Sequence, residues 1–187
     1  MDLHQQLVKE CLKGKPAAQK ALYDLFAPNM LGLCYRYTKS MDDAQDVLQE
    51  GFVRVFRFLH QYREEGDLGA WIRRIMVNTA LSFLKKHRNY QQELVFIEDK
   101  QDLHAVVADN VEVKLRADDL AKLIRQLPIG YQTIFNLHAV EGYTHPEIGK
   151  MLGIEEGTSR SQYARARKLL MQWIQQSDNE NRRSYAQ

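Results

Sequence analysis

Apolar residues recur every three to four positions over most of this chain. In "MDDAQDVLQEGFVRVFRFL", residues 41 to 59, the set Ala44, Val47, Leu48, Phe52, Val55, Phe56 and Leu59 keeps helical spacing. The opposite side carries Asp42, Asp43, Asp46 and Glu50, then Arg54 and Arg57. In "WIRRIMVNTALSFLKKHRNY", residues 71 to 90, Ile72, Ile75, Met76, Thr79 and Phe83 gather on one side. Arg74, Asn78, Leu81, Ser82, Lys85 and Arg88 form a second stripe. Helical periodicity holds from Leu3 to about Tyr90 and resumes near Ala117, running to about Ile174.

Between these stretches the pattern fails. Residues 98 to 119, "EDKQDLHAVVADNVEVKLRADD", hold seven acids against three bases and no long apolar stripe. They read as a linker. The pattern predicts an all-α chain with two small helical domains, residues 1 to 92 and 118 to 175. A flexible acidic linker over 93 to 117 joins them, and a polar tail follows from 176 to 187. A tether of that length spans tens of ångströms when extended.

The second domain contains local signals that agree with one another. Thr144 and Glu147 have capping-box spacing, Pro146 is tolerated in a first turn, and Gly153 suits a left-handed C-cap. Gly149 leaves room for a second helix to cross closely, and Glu155 and Glu156 suit that helix's N-terminus. On the second helix Tyr163, Ala166, Leu169, Leu170, Trp173 and Ile174 lie together. Ser161, Ala164, Arg165 and Lys168 point away, with Arg160 and Arg167 at the flanks. Short helix, tight glycine turn and a second helix with a basic outer face make a helix-turn-helix. Ahead of it, "LIRQLPIGYQTIFNLHAVEG" supplies packing helices, with Pro128 opening the second and His138 as a partly buried core residue.

Charge distribution sharpens this picture. The 187 residues hold 26 Lys and Arg against 24 Asp and Glu, a net charge of +2. Yet residues 71 to 90 carry five Lys and Arg with no acid, and four more follow Glu156 in the helix ending at Leu170. Two local basic surfaces point to nucleic acid where the total does not. Asn78 within a basic stripe can read a base edge. The loop "HQYREEGDLGAW", residues 60 to 71, places Tyr62 beside that helix, where an unstacked base can bind. Trp71 at its exit reads as a core anchor. The acidic face of residues 42 to 50 repels DNA and suits a basic protein.

Other function classes find little support. No nucleophile triad, carboxylate pair or phosphate loop stands out, so the chain reads as no enzyme and implies no cofactor. Cys11 and Cys34 read as buried thiols, and the six His form no metal-ligand spacing. The N-terminus lacks a signal-peptide core, and no run approaches a membrane span of ~18 apolar residues. The expectation is a cytoplasmic protein without membrane insertion.

Both ends of the chain match one arrangement. "DDAQDVLQEGFVRVFRFL", "WIRRIMVNTALSFLKKHRN" and "LPIGYQTIFNLHAVEGYTHPEIGKMLGIEEGTSRSQYARARKLL" resemble, in order, the polymerase-binding helix, the −10 segment and the −35 domain of extracytoplasmic-function sigma factors. The resemblance covers roughly residues 10 to 90 and 118 to 174 and leaves out the linker. It implies docking on the beta-prime clamp helices of core RNA polymerase through Asp46, Gln49, Glu50 and Phe52, and packing on the beta flap tip. It implies single-stranded −10 contact through Tyr62, Arg74, Asn78, Ser82, Lys85 and Arg88. Duplex −35 contact falls to Arg160, Ser161, Gln162 and Arg165, with Thr158 and Lys168 on phosphates. It also implies an anti-sigma factor as partner. The pattern often has Arg where Gln162 stands and a larger side chain than Ala164. Leu81 and Ser82 replace a more acidic and basic pair. The competing readings are a dimeric helix-turn-helix regulator acting without polymerase, and a helical adaptor that binds only proteins.

Overall fold

The computed structural model describes residues 3–63, 66–87 and 117–184. All regular elements among them are helical. They fall into two compact units, Met1–His87 and Arg88–Gln187. The linker expected over 93 to 117 lies, except for its last residue, outside the described residues.

The first unit packs four helices: α1 (Leu3–Leu12), α2 (Pro16–Tyr37), α3 (Met41–Phe58) and α4 (Leu68–Lys86). Pro16 opens α2, where its missing N–H is not needed. Ser40 caps α3 by accepting from the Asp43 amide at 3.0 Å, and Asp67 caps α4 by accepting from the Ala70 amide at 2.8 Å. Helices α2, α3 and α4 contact one another pairwise. Leu22, Leu33, Tyr37, Val47, Val55, Ile72, Met76 and Leu84 fill the space between them. Complete burial of a side chain of this size is worth about 1.5–3 kcal/mol. Cys11 and Cys34 are buried free thiols, and burial pushes Cys34 up to about 12.

Packing on two sides explains one departure from the periodic pattern. The sequence pattern places Leu81 in the second stripe of α4, among polar residues. Leu81 is only 5% exposed. Because α4 contacts both α2 and α3, its buried arc is wider than one stripe and takes in Val77, Ala80 and Leu81.

The second unit contains α5 (Ala117–Gln126), α6 (Ile129–Phe135), α7 (His145–Leu152) and α8 (Glu156–Ser184). Pro128 is the N-cap of α6. A π-type turn over Asn136–Val140 continues α6, the Glu141 amide donating to the Asn136 carbonyl at 2.9 Å. The capping box opens α7: the Glu147 amide donates to Thr144 Oγ1 and the Thr144 amide donates to Glu147 Oε2 at 2.8 Å. Gly153 ends α7 in the left-handed region at φ 72°. A Cβ at Gly149 would lie 2.8 Å from the Ile154 carbonyl oxygen, which shows how closely the turn passes that position. Helix α8 runs on to Ser184, through the stretch expected as a polar tail from 176. That stretch has no Pro or Gly to stop it, and Ser177 Oγ donates to the Trp173 carbonyl at 3.0 Å.

Candidate nucleic-acid interface

The first unit presents two unlike faces. On α3, Asp46 and Gln49 are exposed, with Val53 56% exposed one turn on. Glu50 is half-buried and engaged: it pairs with Arg54 and lies 3.9 Å from Lys86 Nζ of α4. Phe52, drawn among the protein-binding residues, is 3% exposed. Its ring lies 4.6 Å from the Tyr23 ring and 6.1 Å from that of Phe56. It belongs to the core, as its place in the apolar set of α3 requires, and packs there rather than presenting a contact surface.

On α4, Arg74, Asn78 and Lys85 are exposed along one stripe. Ser82 is half-buried, and its hydroxyl donates back to the Asn78 carbonyl at 2.8 Å. Arg88 lies outside the described residues. Tyr62 is half-buried beside this stripe. Its hydroxyl donates to the Gly66 carbonyl at 2.5 Å, and its ring centroid is 5.6 Å from that of Trp71. Trp71 is itself half-buried rather than a core anchor, so an aromatic pair stands at the head of the polar stripe.

On α8 the candidate residues separate into three groups. Arg160 and Lys168 are exposed, and Arg160 is ion-paired with Glu156 one turn earlier. Ser161 and Arg165 are half-buried, Ser161 Oγ donating to the Thr158 carbonyl at 3.0 Å. Thr158 and Gln162 face inward at 8% and 0% exposure, with Ser159, Ala166 and Leu170. A fully enclosed Gln162 does not reach a base edge, so its assignment as a base reader is corrected. The reason is periodic: Thr158, Gln162, Ala166 and Leu170 stand four apart, so the buried side that holds Ala166 and Leu170 extends back over Gln162 and Thr158. The inner end of α8 is thus polar. Gln132, Thr133 and Asn136 of α6 and its π-type turn are buried polar residues as well, and α6 packs against α8.

One group was missed as a group. His138 and His145 stack with centroids 4.2 Å apart, and Tyr163 meets His138 edge-on at 4.6 Å. They stand on three separate elements with breaks between them, so only the folded arrangement brings them together. Among the described residues no cluster of three or more potential metal ligands occurs, and no helix is long and apolar enough to cross a membrane.

Comparison with known proteins matches two families in order. Residues 22–90 match Sigma-70 region 2, and residues 117–170 match Sigma-70, region 4. The chain is 29% identical to the ECF RNA polymerase sigma-E factor of Haemophilus influenzae over 91% of its length and 95% of that protein's. It is 27% identical to the ECF RNA polymerase sigma factor SigW of Bacillus subtilis, over 87% and 92% of the two chains. Among solved structures, the sigma factor RpoE of Bartonella quintana, in complex with the anti-sigma factor NepR, superposes with a TM-score of 0.52 at 20% identity. The match covers 83% of this chain and 96% of that one. CnrH in complex with the cytosolic domain of CnrY gives 0.51 at 20% identity, over 93% and 98%.

Proposed function

This chain belongs to the extracytoplasmic-function sigma factors of bacterial RNA polymerase, and from that membership we propose how its residues divide the work of starting transcription. The chain binds core polymerase in the cytoplasm and directs it to promoters, with no catalytic chemistry of its own. The acidic face of α3, through Asp46, Gln49 and Glu50, meets a basic surface of the clamp helices on the beta-prime subunit. The second unit packs on the beta flap tip. Helix α8 enters the major groove at −35 with Arg160, Ser161 and Arg165 toward the bases and Lys168 toward phosphate. The stripe of Arg74, Asn78 and Lys85 takes the single strand at −10, with a flipped base held near Tyr62.

The observation that carries this reading is the occurrence of both sigma regions in one chain, in order, each with a basic helix. The energetics fit. Taking one base out of its stack costs a few kcal/mol, and a pocket that stacks and bonds it returns about 1–3 kcal/mol. The remainder comes from the −35 contacts and the polymerase. Each surface alone neutralises few phosphates, so the free chain binds DNA weakly. An anti-sigma factor that covers the polymerase-binding surfaces is the natural regulator, as NepR is the partner of the Bartonella relative.

The test is promoter binding by the purified chain with and without core enzyme. Selective binding appears only with core enzyme. A dimeric regulator would instead bind a palindrome tightly unaided.

A further inference from the structure

The histidine cluster of the second unit serves neither DNA nor polymerase contact as described above. His138 lies in the π-type turn after α6, His145 is the first residue of α7, and Tyr163 is on α8. The imidazoles stack at 4.2 Å with planes 22° apart. Tyr163 lies edge-on to His138 at 76° and 5.7 Å from His145. Each Nδ1 has a partner. His138 Nδ1 is 2.8 Å from the Tyr143 carbonyl oxygen, which can only accept, so this nitrogen carries a proton and donates. His145 Nδ1 is 2.9 Å from Ser159 Oγ, a hydroxyl on the fully buried side of α8.

These contacts join the three elements that decide how α8 leaves the turn. The π-type turn aims His138, held further by the Tyr143 amide donating to the Leu137 carbonyl at 2.9 Å. The capping box fixes the first turn of α7, and with it His145. His145 then grips α8 at Ser159, one residue before the proposed base-reading face begins at Arg160. We propose that His145 is a positioning residue for the −35 helix, and that its stack on His138 and its bond to Ser159 hold α8 for duplex readout. The proposal rests on the assignment of α8 to −35 given above.

Burial, more than the charged groups nearby, disfavours a proton on His145. From α8, Arg160 and Glu156 face His145 and are ion-paired with each other, and the Arg167 guanidinium carbon sits 5.9 Å from the Tyr163 ring centroid. From the turn and α7 come His138, Glu141 and Glu147, the last held in the capping box. Burial pushes the His145 imidazole below its usual range, His138 and Arg160 push it the same way, and Glu156 opposes them least strongly. The sign follows. A depressed histidine takes its proton in the opened or unfolded form before the folded one, so the stacked form is fully favoured above the ordinary value of 6.5 and loses that advantage as pH falls below it. A proton on one ring would also face the second imidazole at 4.2 Å.

The test uses the full chain. Run-off transcription with core enzyme is compared on templates with an intact and a scrambled −35 element. Between about pH 7.5 and about pH 5.5 the −35-dependent ratio of wild type falls, by at most about tenfold, and His145→Gln, which keeps a neutral group able to bond Ser159, loses most of that dependence. In parallel, histidine-resolved NMR of the free wild-type chain shows His145 titrating below 6.5, with the α8 amides from Ser159 to Tyr163 shifting along the same curve. Equal pH profiles for wild type and His145→Gln would overturn the proposal, as would α8 amides that ignore the His145 titration. If scrambling −35 has no effect at the higher pH, the duplex assignment of α8 fails instead, and the NMR curve still decides whether His145 positions the helix.

Discussion

Met76 occupies the place that a side chain at Gly51 would fill. A Cβ built at Gly51 lies 2.2 Å from Met76 Sδ and 2.9 Å from its Cε. Helices α3 and α4 therefore meet backbone to thioether, and the crossing is tied again where Glu50 lies 3.9 Å from Lys86. One of these helices carries the acidic face and the other the polar stripe, so this contact sets the angle between those two faces.

Gly51→Leu forces that crossing apart. Overpacking of this kind costs about 1–3 kcal/mol, and the denaturant midpoint of the purified chain reads it. Open-complex formation falls with stability. An unchanged midpoint would show that the two helices are not held by this approach.

The two kinds of residue on α3 respond differently. Phe52→Ala removes an enclosed aromatic ring and lowers stability by about 3–5 kcal/mol. Asp46→Lys leaves stability within about 0.5 kcal/mol, while binding to core enzyme weakens by about tenfold, chiefly through slower association. Calorimetry for the first effect and core-binding kinetics for the second separate packing from docking.

Helix α8 offers the same contrast. Arg165→Ala lowers promoter-specific transcription by about 1–3 kcal/mol and relaxes preference at one −35 position. Gln162→Ala removes an enclosed amide and costs about 1–3 kcal/mol of stability, with base preference unchanged. A library of −35 variants transcribed by each mutant tests both statements. Altered preference in Gln162→Ala would restore that residue to the DNA-contacting set.

Much of this arrangement is legible in the sequence because its signals are local. The periodic faces of α3 and α4, the Thr144–Glu147 cap and the Gly153 stop each depend on residues within one or two turns. What was misread depends on neighbours far along the chain. Leu81 is buried because α4 packs on two helices, which a single wheel does not represent. Gln162 is buried although polar, and a wheel weighted by hydrophobicity leaves a polar residue out of its inner face. Residues 176 to 184 carry no apolar stripe, yet nothing in them breaks a helix already begun. The His138–His145 stack crosses the break at 141 to 144, where no helical wheel applies.

Asn78→Ala separates melting from docking. The exposed amide contributes to holding the opened strand, so open complexes form more slowly, by about 1–3 kcal/mol in that step. Binding to core enzyme is unchanged. Stopped-flow fluorescence from a probe in the −10 element reads the rate, and a normal rate would remove Asn78 from the −10 surface.

The most direct measurement is permanganate reactivity of −10 thymines on one promoter fragment, incubated with the chain, with core polymerase, and with both. Reactive thymines should appear only with both present, and should vanish when either the α4 stripe or the basic face of α8 is neutralised. Reactivity with the chain alone, or none when core polymerase is added, would contradict the account.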